Sequence, residues 1–489
     1  MNRLSQLYRH NLALLTDLYQ LTMAYGYWKC GLAQRQAVFH LTFRQCPFAG
    51  EYAIACGLAE AIDFLRDFHF DAEDAAFLRA LTGADGQPLF EVAFLQFLQD
   101  QPFRCDVHAL PEGTPVFPHE PLVRVRGPLW QAQVVETALL NIINFQTLVA
   151  TKAARICQAV EGDSVLEFGL RRAQGMDGGL SASRAAYIGG CHATSNVLAG
   201  KLFGIPVRGT HAHSWVMAYG DDATAFRAYA AAMPNNCVFL VDTYDTLDGV
   251  RQAAKVGREL QKAGHKLLGV RLDSGELCSL SISARKILDE AGLPEAAIVA
   301  SNDLDEHEIE RLKRDGAKID IWGVGTRLVT AYDQPALGGV YKLAALQDEQ
   351  GEWQYRIKLS QQAIKVSDPG ILQVRRHSLG GKLLADVLYD EPTGIAEAGA
   401  LHPYHGGTAA ALPAQTTSED LLRPIFRSGE LVYEAPDATD ARQNTLQQLT
   451  RLDSGITRLS SPQPYLVALE ARLGKLKNDL IAQARREHS

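Results

Sequence analysis

The eight cysteines of this 489-residue chain form no Cys-x-x-Cys pair and no Cys/His cluster at zinc spacing, which argues against a structural zinc module. Scattered thiols of this kind read as reduced, mostly core residues of a cytoplasmic protein. No uninterrupted apolar run of membrane-spanning length stands out. The opening stretch MNRLSQLYRHNLALLTDLYQ is broken by polar residues throughout, unlike a signal peptide. Positive charge is not in excess either. A net charge of −8 disfavours a general nucleic-acid surface and leaves room for a local phosphate site. No internal repeat is found beyond strand–helix units. What remains is 47 % hydrophobic residues and length enough for two or three domains with a substantial core.

The opening region has an α+β texture. A helix is expected over residues 11–30, where Leu12, Leu15, Leu18 and Tyr19 share most of one face. Residues 37–43 alternate as a strand does, and helices are expected over 51–68 and 90–98. Five prolines from Pro111 to Pro128 point to short strands joined by turns. From residue 131 the character changes. A long helical run, 131–160, leads to short apolar strands expected at 165–168, 207–210, 237–241, 267–272, 298–300 and 319–324. The last five start about thirty residues apart, with helical segments such as 246–263 and 277–291 between them. Such units imply a parallel sheet. A closed or nearly closed βα barrel is the economical arrangement, with an open doubly wound sheet as its competitor.

Beyond Val340 strand texture returns at 340–343 and 354–359, and residues 402–419, rich in Gly, Ala, Pro and Thr, read as an exposed loop. Leu466, Leu469, Leu473, Leu476 and Leu480 form the stripe of a docked amphipathic helix. The expected organisation is an N-terminal α+β domain (1–130), a central βα barrel with the active site (131–346), and a C-terminal β-rich and helical region (347–489) packed on the first domain.

Polar residues that a core would not choose gather at the strand ends. Gly169–Arg172 and Gln174–Gly179 follow the first strand, and Arg208-Gly209-Thr210-His211-Ala212-His213-Ser214-Trp215 the second. Asp242–Asp245, Arg271–Gly275, Ser301–Asp303 and Gly323–Arg327 follow the others. In a βα barrel these ends converge on one mouth. Any one of them alone is equally well a helix cap, and an isolated His-x-His is more often an ordinary pair of histidines. Six consecutive ends of this kind are harder to explain so. Gly323-Val324-Gly325-Thr326 offers N–H groups and a hydroxyl to phosphate, and Arg171 and Arg172 offer cations. Asp242, Asp245 and Asp273 suit ribose hydroxyls or Mg2+ held through water. Phe168 and Arg271 suit a planar base. A histidine flanked by small hydroxyl residues is the candidate nucleophile or general base. Phosphate, ribose, magnesium and a flat base together indicate nucleotide chemistry.

The run VFLVDTYDT at 238–246 is similar to the phosphoribosyl-diphosphate motif of open-sheet phosphoribosyltransferases. Its acids stand three apart instead of adjacent, however, and the glycine arrives only at Gly249. It reads better as a barrel strand with site acids.

Four stretches carry a more specific likeness: Thr16–Gln20, Glu167–Gly175, Gly209-Thr210 followed by Ala212-His213-Ser214, and Val270–Gly275. In this order and spacing they resemble the nicotinate phosphoribosyltransferase family, with HALPEGT at 108–114 and the helix over 136–155 also similar. The likeness runs to about Lys342, with weaker echoes beyond. It implies an α/β fold of the type II phosphoribosyltransferase kind: an N-terminal α+β domain on a central irregular βα barrel, with a C-terminal extension. The implied activity is ATP-coupled transfer of phosphoribosyl from phosphoribosyl diphosphate to nicotinate, giving nicotinate mononucleotide and diphosphate. By motif, His213 is the transient phosphohistidine, while His211 falls where the family varies. Arg271 and Asp273 are the other catalytic positions. Tyr19, Phe168, Ser195, Thr210 and Arg271 would bind nicotinate. Arg171, Asp242, Ser301, Asn302, Gly323, Gly325 and Thr326 would hold the phosphoribosyl group. Asp242 and Asp273 would serve Mg2+, indirectly. The family is dimeric, which would carry Tyr19 into the neighbouring subunit's site. Ser195 falls where nicotinamide-using relatives carry an aspartate. No nucleic-acid or membrane partner is implied. The chain departs from the family at 359–370, where acids expected after Ser360 are missing; no site role is assigned there. The rival readings are a nicotinamide- or quinolinate-using transferase, and a catalytically silent nucleotide-binding member of the fold.

Overall fold

The structure is a computed structural model that describes residues 11–362, 365–396, 401–404, 412–413 and 415–487. It divides into two compact units, Met1–Thr147 with Ala336–Pro436 and Leu446–Ser489, and Leu148–Pro335 with Asp437–Thr445. Strands from beyond residue 340 complete a sheet that begins near the N-terminus, a long-range pairing that local patterns do not announce.

In the first unit seven strands run in the order Trp353–Tyr355, Val340–Gln347, Gln36–Thr42, Val123–Pro128, Asp106–Ala109, Arg423–Arg427 and Glu430–Leu431, antiparallel throughout. A five-stranded sheet holds Leu466–Leu469 in parallel pairing with Lys382–Asp390. Leu466 and Leu469 are therefore strand residues, and only the later leucines of the stripe ride the helix Ala471–Glu487. The three-four spacing continued across a strand–helix junction and mimicked one helix. The first helix is shorter than expected, Leu18–Lys29. Residues 51–68 hold a short strand, Ala53–Ile54, and the helix Leu58–Arg66, separated at Gly57 with φ of 100°. Of the expected loop over 402–419, His402–Pro403 and Thr417–Asp420 are strands, while 405–411 and 414 lie outside the described residues. The stretch Leu129–Ala159 is long and apolar enough to cross a membrane by length and composition, contrary to the sequence reading. Most of its apolar window is buried inside the protein, as in a core helix.

The second unit is built on a parallel sheet of β1 (Ser164–Glu167), β2 (Ala193–Thr194), β3 (Val238–Leu240), β4 (Gly269–Leu272), β5 (Ala297–Ser301) and β6 (Ile321–Val324). Their order is β2-β1-β6-β5-β4-β3. The helices Met176–Ile188, Thr246–Lys262, Leu277–Glu290 and Glu306–Arg314 connect them, the second and third where helical segments were expected. One expected strand is missing. Val207 makes a single bridge to Thr194, and residues 208–212 have no regular structure. The two-residue strand β2, too short to show a period, takes that position, and among the described residues no ladder joins the edges β2 and β3. Two ionic ties brace the frame. Glu306 is buried between Arg155 (2.9 Å) and Lys152 (2.6 Å), and Arg327 pairs with Asp305, the N-cap of the helix Glu306–Arg314.

The helix Thr246–Lys262 lies directly on the turn that follows β3. A Cβ at Gly249 would stand 2.1 Å from the Val241 carbonyl oxygen, so this glycine sets the distance of closest approach. The cap of the same helix is Asp245, whose carboxylate accepts the Asp248 N–H at 2.8 Å. Capping, not ligand binding, is what the structure gives this acid. Replacing Gly249 by Ala should destabilise the protein by about 1–3 kcal/mol, the usual cost of overpacking. An unchanged denaturation midpoint would contradict the contact.

Candidate functional site

Strand alternation sends Val270 and Leu272 of β4 into the core, where both are fully buried, and turns Arg271 to the other face. There the guanidinium donates from Nε to Ser301 Oγ (2.8 Å), from Nη1 to Thr210 Oγ1 (3.1 Å) and from Nη2 to Asp273 Oδ1 (3.0 Å). Its Cζ lies 5.5 Å from the centroid of the Phe168 ring. That ring has room because Gly323, inside β6, has no side chain: a Cβ there would stand 2.7 Å from two ring carbons. Phe168, Thr210, Arg271, Asp273, Ser301 and Gly323 are thus brought together around one cation.

Asp273 also accepts from Ser301 Oγ, and its Oδ2 faces His213 Nε2 at 3.7 Å. The other ring nitrogen, Nδ1, lies 3.2 Å from Thr243 Oγ1. Asp242 receives the Asp273 N–H (3.0 Å) and the Ser274 hydroxyl (2.5 Å) on Oδ2, while its Oδ1 is buried without a partner among the described residues. A buried carboxylate oxygen left so is costly unless a ligand takes it. Among the described residues no three His, Cys, Asp or Glu side chains are grouped to hold a metal. Magnesium does not need such a cage, since it keeps several waters and takes one or two carboxylates together with substrate phosphates. Asp242 with Asp273 is a donor set of that kind.

The residues expected to hold phosphate lie at the ends of the neighbouring strands β1, β6 and β5. Arg171 and Arg172 are exposed on the turn Leu170–Arg172. Ser301 is buried, and Asn302 and Asp303 follow it with φ of 144° and 41°, conformations that non-glycine residues rarely adopt and that cluster at ligand-binding loops. Gly325 opens the short helix Thr326–Val329.

Ser195 sits just past β2, its N–H bonded to the Glu167 carbonyl at 2.9 Å. The helix that follows is capped by its neighbour Asn196, which accepts the Ala199 N–H. Capping therefore does not explain Ser195, and its half-buried hydroxyl has no partner among the described residues. Tyr19 belongs to the first unit. It is exposed on the helix Leu18–Lys29, which Gln20 pins to Glu136 (2.9 Å) and Gln133 (2.7 Å).

Sequence reasoning passed over three features. Glu167, fully buried at the end of β1, accepts from the Gly169 N–H and from the hydroxyls of Ser183 (2.9 Å) and Thr194 (2.5 Å). An acid closing an apolar strand was the available signal. Thr243 was hidden inside the acidic run 242–245. The third is a cavity in the first unit lined by His40, Arg44, His119, Lys342 and Lys365 among others. Burial, with the charges of Arg44 and Lys358, lowers the Lys342 ammonium, and burial with Arg124 holds His40 down to about 3. Its residues are too far apart in sequence to have been grouped by any spacing.

Residues 14–144 match the N-terminal domain of nicotinate phosphoribosyltransferase and residues 374–477 match its C-terminal domain. The nicotinate phosphoribosyltransferase of Bacillus subtilis is 45 % identical over 469 residues, covering 94 % of this chain and 93 % of the relative. The human nicotinate phosphoribosyltransferase is 37 % identical, with 96 % of each chain covered. The chain belongs to the nicotinate phosphoribosyltransferase family. The crystal structure of human nicotinic acid phosphoribosyltransferase is similar with a TM-score of 0.81 at 35 % identity, over 95 % of this chain and 99 % of that one. Nicotinate-nucleotide pyrophosphorylase from Pyrococcus furiosus, at 23 % identity and a TM-score of 0.68 over 90 % of this chain and 95 % of its own, shares the fold. The family likeness also reaches well past Lys342, where the motifs gave only echoes.

Proposed function

We propose that this chain couples nicotinate with phosphoribosyl diphosphate to give nicotinate mononucleotide and diphosphate. The observation that carries the reading is the Arg271 guanidinium, set beside the Phe168 ring and hydrogen-bonded to Thr210 and Ser301. A cation and an aromatic face in one place suit a flat anionic base. In this reading nicotinate lies against Phe168 and Arg271, with Thr210 and Ser195 near its carboxylate. Arg171, Ser301, Asn302, Thr326 and the backbone at Gly323 and Gly325 hold the sugar phosphate. Asp242 and Asp273 serve the ribose and Mg2+, which when bound neutralises charge on the departing diphosphate. The pyridine nitrogen attacks C1 of the ribose as the bond from C1 to the diphosphate oxygen breaks. Positive charge grows at that carbon, so the protein contributes position and electrostatics. No disulfide joins the eight cysteines, which suits a reducing cytoplasmic setting.

ATP is the co-substrate in this reading. A His213 nitrogen attacks the γ-phosphorus, the bond to the ADP oxygen breaks, and phosphohistidine and ADP result. Thr243 and Asp273 flank that ring on either side. Diphosphate release should be stimulated by ATP with nicotinate, and not with nicotinamide or quinolinate. His213→Ala should lose the stimulation and any acid-labile label from γ-phosphate-labelled ATP, with slow ATP-independent transfer remaining. Continued labelling of this variant would move the assignment elsewhere. Release with none of the three pyridines would leave the silent-member reading.

A homodimer with shared sites accounts for Tyr19. The first unit exposes Leu15, Leu18 and Tyr19, and the second exposes Val197, Leu198, Leu202 and Met217. Exposed apolar side chains on each unit are what a partner subunit would cover. Mixing inactive Tyr19→Ala with inactive Arg271→Ala should restore activity, because some heterodimers rebuild one intact site. Absence of recovery, with subunit exchange demonstrated, would place the site within one chain.

The choice of base is assigned to Ser195. An uncharged hydroxyl tolerates the nicotinate carboxylate, whereas an aspartate there would repel it and could accept from a carboxamide N–H. Ser195→Asp should lower kcat/KM for nicotinate by on the order of a few kcal/mol, as an unpaired like charge in a closed site does. The gain for nicotinamide should be small, since one hydrogen bond does not remake a pocket. An unchanged ratio of the two kcat/KM values would mean that Ser195 does not read the base.

A further inference from the structure

The parallel sheet of the second unit stops at two edges, and the imidazole of His211 lies against one of them. On the β2 edge, Thr194 is bridged to Val207, and its carbonyl accepts the Arg208 N–H at 3.0 Å. The chain then leaves the ladder and runs on to Thr210 and His211. On the other edge, β3 pairs with β4 alone. The Val241 N–H is directed to the Arg271 carbonyl of β4 at 3.2 Å, so by alternation the Leu240 N–H points away from β4, to the open side. Among the described residues no strand stands there to receive it. His211 Nε2 does, at 3.2 Å.

The second nitrogen settles the ring's state. His211 Nδ1 lies 3.3 Å from the Ala212 carbonyl oxygen, which only accepts, so the proton is on Nδ1 and Nε2 keeps its lone pair for Leu240. The neutral ring matches its surroundings. His211 is 8 % exposed, with Phe226, Tyr229 and Phe239 at centroid distances of 6.1, 5.1 and 6.4 Å. Burial pushes its imidazole below the ordinary histidine value, and the neighbouring Arg271 and His213 push the same way.

We propose that His211 is a positioning residue. Its neutral imidazole stands in for the missing strand between β3 and the 208–212 segment, and so holds His213 in register with Thr243 and Asp273. The connection is short on both sides. Ala212 is the N-cap of the helix His213–Tyr219, whose first residue is His213. Leu240 is the last residue of β3, and Thr243, three residues on, touches the His213 ring. One ring thus ties the segment that carries His213 to the segment that receives it. This rests on the proposed role of His213, which it extends by one residue.

His211→Phe keeps an aromatic ring and removes both nitrogens. His211→Gln keeps one acceptor and one donor at comparable reach, and His211→Asn keeps them on a shorter arm. With saturating ATP, His211→Phe should lower kcat by roughly tenfold or more with KM for nicotinate within about twofold, the pattern of a misplaced reacting group. His211→Gln should recover most of that loss and His211→Asn should not. In a His213→Ala background His211→Phe should cause no further loss, because its effect runs through His213. Wild-type kcat in His211→Phe, no rescue by Gln over Asn, or full additivity with His213→Ala would each overturn the inference. If His211→Phe does not fold, the Gln and Asn pair decides by the same criterion. A fully active His213→Ala would remove the proposed role of His213 and this inference with it. Loss in His213→Ala without loss in the His211 variants would remove this inference alone.

Discussion

An arginine held among strand ends must have its donors matched, because a desolvated guanidinium without partners is expensive. Arg271, only 15 % exposed at the side chain, meets that requirement with three different partners in place of one carboxylate. The constraint runs both ways. Thr210, Ser301 and Asp273 are drawn to the positions where a planar fork needs acceptors, and Phe168 is placed where its face meets the cation. Residues from four separate stretches of sequence are thereby set relative to one another before any ligand arrives. Preorganisation of this kind is what a transfer reaction that relies on positioning requires.

The next tier repeats the device with the sign reversed. Glu167 is as buried as any residue in the core, yet its carboxylate is ringed by an amide and two hydroxyls that belong to different elements. Asn196 extends the ring by donating to Ser183 (3.2 Å) and bonding through its own N–H to Thr194 (2.9 Å). Ser195 sits between these last two, so its backbone is pinned while its hydroxyl stays available. A hydroxyl held in one place in this way is what the proposed choice between a carboxylate and a carboxamide requires.

Much of this was legible in the sequence, and the reasons are local. Each of Phe168, Arg271, Asp273, Ser301 and Gly323 lies in the last two positions of an apolar strand or just after it, and strand ends are what a parallel βα sheet brings together. What was misread shows where local patterns fail. The strand expected at 207–210 is absent: the short apolar run that leads to it begins at Phe203, which closes the helix Val197–Phe203, and Gly204, with φ of 70°, caps that helix. A short apolar run serves a helix end and a strand equally well. Leu466 and Leu469 deceived in the opposite direction, as strand residues that happened to continue a helical spacing. The first unit's sheet and its basic cavity were invisible for another reason. They join residues near 40 and 120 to residues near 342 and 366, and nothing in a single chain's local pattern encodes such pairings.

The absence of a regular strand at 208–212 has a geometric consequence for the site. Thr210 and His213 are three residues apart, and in an extended strand such residues point to opposite faces. Here both serve the same place, Thr210 through Arg271 and His213 through Asp273. That is achieved by leaving the ladder after Arg208, running irregularly to Ala212 and beginning a helix at His213. A full strand would have satisfied every backbone group on the β3 edge and turned one of the two side chains away. The fold gives up ladder pairing at this edge, and the hydrogen bond that is most exposed to that loss, at Leu240, is taken up by a side chain from the irregular segment itself.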